Sequence, residues 1–171
     1  MDFNELFSAK TGRWFVLHTR ARHEKGLADD LTARKIAHFL PLVTKVRYWG
    51  KRKAIVKEPL FPGYIFLHGS NDDTYLADRT RHVAQIIPVP DQDRLAWELR
   101  NLSHALDHNA ALDPFPYLKK GVRVTITSGP MRGLQGTVES RQNIEKIILT
   151  VEMLGQAVSM ELHGALVEPV E

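Results

Sequence analysis

The residues best suited to chemistry are a run of cations between positions 44 and 57, TKVRYWGKRKAIVK. No acidic residue interrupts the run from Lys45 to Lys57, and two aromatic residues, Tyr48 and Trp49, lie inside it. Cations beside exposed rings can contact phosphates and stack on the bases of a nucleic-acid strand. The alternative is a solvated hairpin whose lysines block edge pairing. The candidate nucleic-acid contacts are Lys45, Arg47, Lys51, Arg52 and Lys53.

Catalytic and metal-binding residues are not arranged in any pattern typical of an enzyme. The chain has no cysteine, which excludes a thiolate zinc site and a cysteine nucleophile. Among eight histidines, His104 and His108 have the helical spacing of two ligands on one face, but no glutamate accompanies them in the metalloprotease arrangement. Histidines near a helix C-terminus, stabilised by its dipole, are the simpler interpretation. We therefore predict no enzymatic activity, no metal and no cofactor.

An α+β region must position the cationic run. Alternating or continuous apolar residues predict four strands, and apolar residues at helical spacing predict three helices. The run itself is predicted to be a β-hairpin that turns near Gly50. The predicted strands are Trp14–Thr19, Phe39–Val43, Gly63–Leu67 and Val83–Val89, and the predicted helices are His23–Ile36, Asp72–His82 and Asp91–His108.

The pattern changes after residue 109. Residues 110–117 contain Pro114 and Pro116 and are predicted to be a linker. Beyond them, Val122, Val124 and Ile126 alternate with polar residues, and glycines mark the turns, which predicts a small β-barrel. We therefore expect an N-terminal domain over 1–109, a linker over 110–117 and a barrel over 118–171.

Charge and hydropathy bear on partners and compartment. The net charge is +3, and the whole excess falls before residue 118, so the first domain is the better candidate for an anionic partner. The N-terminus, MDFNELFSAKTGR, has no apolar core of signal-peptide length, and no apolar run approaches the roughly 20 residues that cross a bilayer. We expect a cytoplasmic protein with no membrane partner.

Two stretches resemble a known family. Residues 119–138, KKGVRVTITSGPMRGLQGTV, resemble the KOW motif. The order and spacing of Trp14–Leu17, His23–Lys25, Phe39–Pro41 and Pro59–Phe66 resemble the N-terminal domain of NusG transcription elongation factors. The resemblance runs from about Trp14 to Glu171. The Phe-Leu-Pro-Leu and Pro-Leu-Phe-Pro-Gly-Tyr segments are similar to specialised paralogues of the RfaH type.

This resemblance implies an antiparallel sheet flanked by helices, a linker and a small SH3-like KOW barrel. It implies a factor that binds RNA polymerase at the clamp of its largest subunit, bridges the cleft and reduces pausing or termination. The hairpin would lie beside upstream or non-template DNA. Phe61, which follows a proline-bounded turn, is expected to be exposed, whereas Trp14 and Ile86 also suit the core. The polymerase-binding residues that it implies are Trp14, Phe61, Tyr64 and Ile86.

In the barrel, the resemblance implies a docking loop for a further partner, a small-subunit ribosomal protein or the termination factor Rho. Its apolar residues are Met131, Leu134 and Met153, and Leu134, between two glycines, is expected to be exposed. The resemblance also implies a polar contact with the gate loop, which belongs to the other large subunit of the polymerase. In this chain that contact would fall at residues 71–75, where Thr74 is the candidate remnant of it. A KOW-type RNA-binding or ribosome-associated protein is the alternative; it accounts for the barrel and the hairpin but not for the Pro-Leu-Phe-Pro-Gly-Tyr segment.

Overall fold

The computed structural model describes residues 3, 7, 11–115, 121–138, 146–162 and 167–170. The chain divides into two compact units, Met1–Gln92 and Asp93–Glu171. The first unit carries a sheet with helices and the second is rich in strands, which confirms the predicted α+β class. Pro116 and Tyr117 of the predicted linker, and Lys119 and Lys120 at the start of the KOW-like stretch, lie outside the described residues.

The first unit is built on a four-stranded antiparallel sheet with the order β2-β5-β1-β6. Strand β1, RWFVLHT, pairs on both sides, and its continuous apolar run Trp14–Leu17 is buried, which suits a central position covered on both faces. The elements of this unit are β1 (Arg13–Thr19), α1 (Glu24–Ala33), β2 (Ala37–Phe39), β3 (Leu42–Trp49), β4 (Arg52–Pro59), β5 (Tyr64–Gly69), α2 (Asn71–Arg79) and β6 (Val83–Pro88).

One face of this sheet packs against helices α1 and α2. Alternate residues of β1 and β5 point to this face, and Leu27 and Leu31 of α1 meet them at helical spacing. The helix α2 begins at a capping box, in which Ser70 Oγ accepts from Asp73 N at 3.3 Å and Asp73 Oδ2 accepts from Ser70 N at 2.9 Å. Ser70 is therefore the N-cap of α2, and the Asp73 side chain reaches back to the Ser70 backbone.

The other face of the sheet carries an aromatic cluster that the sequence did not predict. Phe7 contacts Trp14 with ring centroids 4.7 Å apart, and Phe3 contacts Phe39 edge to face at 5.5 Å. The His68 ring meets Trp14 at 4.9 Å, and its burial lowers the pKa of the imidazole. The N-terminal phenylalanines thus cover the ring of Trp14 and leave it buried.

The predicted hairpin is confirmed, and it forms a sheet of its own. Strands β3 and β4 pair in register from Leu42 opposite Pro59 to Trp49 opposite Arg52. Gly50, with φ of +62°, and Lys51 form the two-residue turn, and a positive φ at the first of the two is typical of a type II′ turn.

The second unit contains a six-stranded antiparallel sheet with the order β12-β8-β9-β10-β11-β7. Strand β7 lies in the predicted linker and pairs with β11, with Pro114 opposite Val158, so this part of the linker prediction is wrong. A proline is tolerated there because β7 is an edge strand. The elements of the second unit are α3 (Gln92–Asp107), β7 (Asp113–Phe115), β8 (Val122–Ile126), β9 (Gln135–Val138), β10 (Lys146–Val151), a 3-10 turn (Glu152–Leu154), β11 (Gln156–Glu161) and β12 (Val167–Pro169).

Helix α3 is joined to this sheet by polar contacts. Glu98 Oε2 accepts from Glu152 N at 3.0 Å and from Thr150 Oγ1 at 3.4 Å, and Asn101 Oδ1 accepts from Gln135 N at 3.3 Å. Burial raises the pKa of the Glu98 carboxyl, and the nearby Arg94 only partly offsets this effect. In the described part of the chain, no helix is long and apolar enough to cross a membrane.

The buried Glu98 carboxyl generates a pH-dependent stability prediction. Because the folded-state pKa is raised, the carboxylate costs stability as pH rises through that pKa. Glu98→Gln keeps an acceptor oxygen and removes the charge, so it should raise the melting temperature at neutral pH. The gain should shrink as pH falls towards the ordinary value of 4.5.

Thermal denaturation followed by circular dichroism across this pH range measures the effect. Glu168→Gln is the control, because this glutamate is exposed on β12 and its replacement should change the melting temperature little. A Glu98→Gln protein that melts below the wild type at neutral pH would contradict the prediction.

Candidate functional site

The first candidate surface surrounds the turn between β4 and β5. Gly63 adopts φ of +87°, a conformation open mainly to glycine, and Tyr64 N donates to Phe61 O at 3.2 Å. Two further bonds hold the turn: Thr19 N donates to Gly63 O at 2.8 Å, and Gly63 N donates to Glu24 Oε1 at 3.2 Å. The end of β1 and the start of α1 therefore both set the position of Tyr64.

Tyr64 forms a ring pair with His18 of β1. The two residues are opposite each other in the β1–β5 register, and their rings stack with centroids 5.1 Å apart and an interplanar angle of 23°. Both side chains are half-buried, so part of each ring faces solvent. The sequence predicted Tyr64 and missed His18; only the β1–β5 register could have shown the pairing.

The other residues implied for polymerase contact lie deeper. The Phe61 side chain is only 2% exposed and meets Phe66 edge to face at 6.5 Å, so the expected exposure of Phe61 is wrong. Trp14 is buried under the N-terminal phenylalanines. Ile86 is partly buried and packs against the core cluster on the helical face of the sheet. Of these four residues, Tyr64 is the one aromatic residue that is partly exposed to solvent.

The second candidate surface is the hairpin, whose two faces differ. Residues directly opposite in an antiparallel pair share a face, and neighbours along a strand alternate. We call the face of Val46, Ile55, Tyr48 and Lys53 the tyrosine face, and the opposite face, with Trp49 and Arg52, the tryptophan face. Tyr48 is 68% exposed and Trp49 is 64% exposed, so both rings are open to solvent.

An ion pair changes the charge of the hairpin. Glu58 accepts two hydrogen bonds from Arg47, from Nε at 2.7 Å and from Nη2 at 2.6 Å. The paired hydrogen bonds raise the pKa of Arg47 and lower the pKa of Glu58. Lys45 also lies close enough to act on the Glu58 carboxylate. The predicted contact Arg47 is therefore neutralised locally, and the positive charge is concentrated near the turn, at Lys51, Arg52 and Lys53.

A cluster of histidines lies beside the start of α1. His23 Nδ1 and His82 Nδ1 are 2.8 Å apart, and His82 Nε2 is 2.9 Å from Asp30 Oδ2. These hydrogen-bond distances link α1 and the residue before it to the start of β6. In the described residues, no group of three or more histidine, aspartate or glutamate side chains is arranged to hold a metal ion. The rings of His104 and His108 lie 4.8 Å apart, and His108 Nδ1 is 2.9 Å from the His104 carbonyl oxygen.

The third candidate surface lies in the second unit. Leu134 is 1% exposed, so its expected exposure is wrong. The turn explains its burial, because Gly133 N and Leu134 O both bond to Ile126, which fixes the leucine against the sheet. Met131 and Met153 are half-buried, and Met131 lines a cavity of about 730 Å³ together with Lys146 and Ser159.

The expected gate-loop contact, residues 71–75, forms the start of helix α2. Thr74 is buried, and its hydroxyl donates to the Asn71 carbonyl oxygen at 2.6 Å within the first turn of α2. The next residue, Tyr75, is 67% exposed. Thr74 is thus satisfied inside the helix, and a polar contact with a partner would have to come from its neighbours.

A family model and curated relatives, compared by sequence, agree on one family. The family model described as "Transcription termination factor nusG" matches residues 12–97. The transcription termination/antitermination protein NusG of Lactococcus lactis is 27% identical over 191 residues, covering 100% of both chains. The Rickettsia prowazekii protein of the same name is 24% identical, covering 88% of this chain and 86% of its own. A solved structure described as "Domain interaction in Thermotoga maritima NusG" covers 94% of this chain and 98% of its own at 21% identity, with a TM-score of 0.47.

The different burial of Phe61 and Tyr64 generates a stability prediction. Phe61→Ala should leave a cavity and lower the free energy of unfolding by about 3–5 kcal/mol. Tyr64→Ala removes a half-buried ring and should cost closer to about 1 kcal/mol. Urea denaturation of the two variants measures both values. Equal losses would mean that Phe61 is not part of the core.

Proposed function

Because the chain belongs to the NusG family of transcription factors, we propose that it binds transcribing RNA polymerase, bridges the clamp of the largest subunit and reduces pausing or termination. The observation that carries this proposal is the partly exposed Tyr64–His18 ring pair, which lies inside the matched region 12–97. No catalytic step is required of any residue. The protein would act by binding alone.

The chemistry of the ring pair suits a protein contact. Aromatic side chains bring a large apolar area with few torsions to freeze, and they are frequent hot spots of binding. The pair is held by backbone hydrogen bonds from Gly63 and Thr19, so little ordering would be needed on association. We therefore place Tyr64 at the centre of the polymerase-binding surface, with His18 beside it. Trp14 and Phe61 support it from the core, and Ile86 supports the sheet from the opposite face.

Bridging would act through a conformational equilibrium of the polymerase. A ligand shifts an equilibrium only by the difference between its affinities for the two states. A factor that binds the closed clamp more tightly than the open clamp lowers the occupancy of the open, paused state. This mechanism needs a rigid binding surface, and the capped helix α2 and the central strand β1 provide a rigid frame.

The hairpin would add a contact to upstream or non-template DNA. Its cations near the turn, Lys51, Arg52 and Lys53, are exposed, whereas Arg47 is engaged by Glu58. Phosphate contacts of this kind are independent of sequence and weaken as salt concentration rises. The hairpin would thus increase the affinity for a complex that contains DNA.

The second unit would recruit a further partner, a small-subunit ribosomal protein or Rho. Met131 and Met153 are its partly exposed apolar residues, and flexible thioether side chains suit adaptable contacts. Leu134 is buried and would shape the docking loop without touching the partner.

Tyr64→Ala combined with His18→Ala should weaken binding to core RNA polymerase by about thirty-fold or more, the loss of about 2 kcal/mol expected for a hot spot. Fluorescence titration of labelled protein with purified polymerase measures the dissociation constant, and a pausing assay on one template measures the effect on elongation. Tyr48→Ala is the matched control, because it removes an exposed tyrosine of the hairpin, and core polymerase carries no DNA for the hairpin to contact. Wild-type affinity in the folded double variant would refute the assigned surface.

The hairpin cations should affect DNA affinity in a salt-dependent way. Replacing Lys51, Arg52 and Lys53 with alanine should weaken binding to DNA most at low salt and reduce the slope of affinity against salt concentration. Glu58→Gln should have the opposite effect, because it releases Arg47. Fluorescence anisotropy at several salt concentrations tests both variants; losses of equal size at every salt concentration would argue against phosphate contacts.

A further inference from the structure

The tip of the hairpin presents one aromatic–cation pair on each of its two faces. Tyr48 is directly opposite Lys53 on the tyrosine face, and Trp49 is directly opposite Arg52 on the tryptophan face. Both rings are mostly exposed. The strands stay paired up to Trp49 and Arg52, and only Gly50 and Lys51 form the turn beyond them. The two rings therefore point in opposite directions from the last positions before the turn.

The spacing of the two rings limits what they can stack on. Side chains on opposite faces of a strand pair are separated by roughly the thickness of a sheet layer, about 10 Å. Successive bases of one stacked strand are only about 3.4 Å apart. The two rings cannot both stack on neighbouring bases of a strand that keeps its own base stacking. Their spacing suits two bases that have moved apart, as on the two strands of an opened step.

The positive charge at the hairpin tip indicates that the partner of the two rings is anionic. Three cations surround the rings: Lys51 lies in the turn, Arg52 is on the tryptophan face and Lys53 is on the tyrosine face. Within the described residues these cations form no ion pair. Further from the tip, the charge of Arg47 is neutralised by Glu58, and the tyrosine face continues with the exposed aliphatic pair Val46 and Ile55. Cations around exposed rings complement phosphates around exposed bases.

We propose that the hairpin tip is a wedge for the fork of a DNA duplex, with Tyr48 stacked on a base of one strand and Trp49 on a base of the other. The proposal rests on the hairpin–DNA contact described above and specifies its ligand, a junction between paired and unpaired DNA. Apolar side chains, phenylalanine among them, are known to insert between base steps and partially unstack them. Lys53 and Arg52 would lie beside the phosphates of the two separate strands, one on each face.

The test compares three labelled DNAs of equal length at low salt: a forked duplex with two unpaired arms, a blunt duplex and a single strand. Fluorescence anisotropy of the full chain measures each dissociation constant. The wild type should bind the fork at least about five-fold more tightly than the single strand and than the blunt duplex, since only the fork offers an unpaired base to each ring. A fork affinity equal to that for either of the other two DNAs would overturn the wedge.

Single substitutions separate a wedge from a simple stacking patch. Tyr48→Leu and Trp49→Leu keep an apolar side chain in the strand and remove the aromatic ring. On the fork, each should cost about five-fold or more, because each strand needs its own ring. On the single strand, each should cost less than on the fork, because the other ring can still stack. Equal losses on the two DNAs would also overturn the proposal.

Control variants distinguish a failure of the wedge proposal from a failure of the proposed polymerase and DNA binding. Tyr48→Phe should restore fork binding, and Tyr75→Leu, at a tyrosine of similar exposure on α2, should leave it unchanged. If the lysine and arginine substitutions weaken DNA binding while Tyr48→Leu and Trp49→Leu do not, the wedge proposal is wrong and the proposed phosphate contact is supported. If the leucine variants weaken binding to DNA-free polymerase and leave fork binding intact, the rings serve a protein and the wedge is likewise overturned.

Discussion

The turn at Gly63 is the constraint on which the binding surface depends. Its positive φ reverses the chain after the hairpin, and its two backbone groups bond to Thr19 N and to the Glu24 carboxylate. These bonds join the end of β1, the start of α1 and the start of β5 at one point. Because of them, Tyr64 emerges opposite His18, and the hairpin leaves the sheet at a defined place.

The layers behind this turn explain why it is rigid. On one face of the sheet, α1 and α2 bury the aliphatic core; on the other, the rings of Phe3, Phe7 and Trp14 pack together. Well-packed interiors resist small displacements, so the turn can hold exposed rings in place without covering them. The unit thus combines a closed core with two projecting features, a half-exposed ring pair and a hairpin whose tip is charged and aromatic on both faces.

Local sequence signals predicted the elements better than the surfaces. The hairpin followed from the cationic run around Gly50, and the central strand from WFVL, because both signals lie within a few residues. The exposure of Phe61 and Leu134 was predicted wrongly, because burial depends on how each turn folds onto the neighbouring segment. Phe61 meets Phe66 across the Gly63 turn, and Leu134 is bonded to Ile126 across the turn at Gly133. The His18–Tyr64 pair and the pairing of Arg47 with Glu58 depend on strand register, which composition does not specify.

The central claim is that the surface around Tyr64 contacts the polymerase. Hydrogen–deuterium exchange of the full chain, alone and bound to core RNA polymerase, tests it most directly, because it reports the contact without any substitution. The account predicts slower exchange in peptides that span residues 18–20 and 61–66 when polymerase is bound. Slower exchange confined to residues 121–162, with the Gly63 turn unchanged, would contradict it.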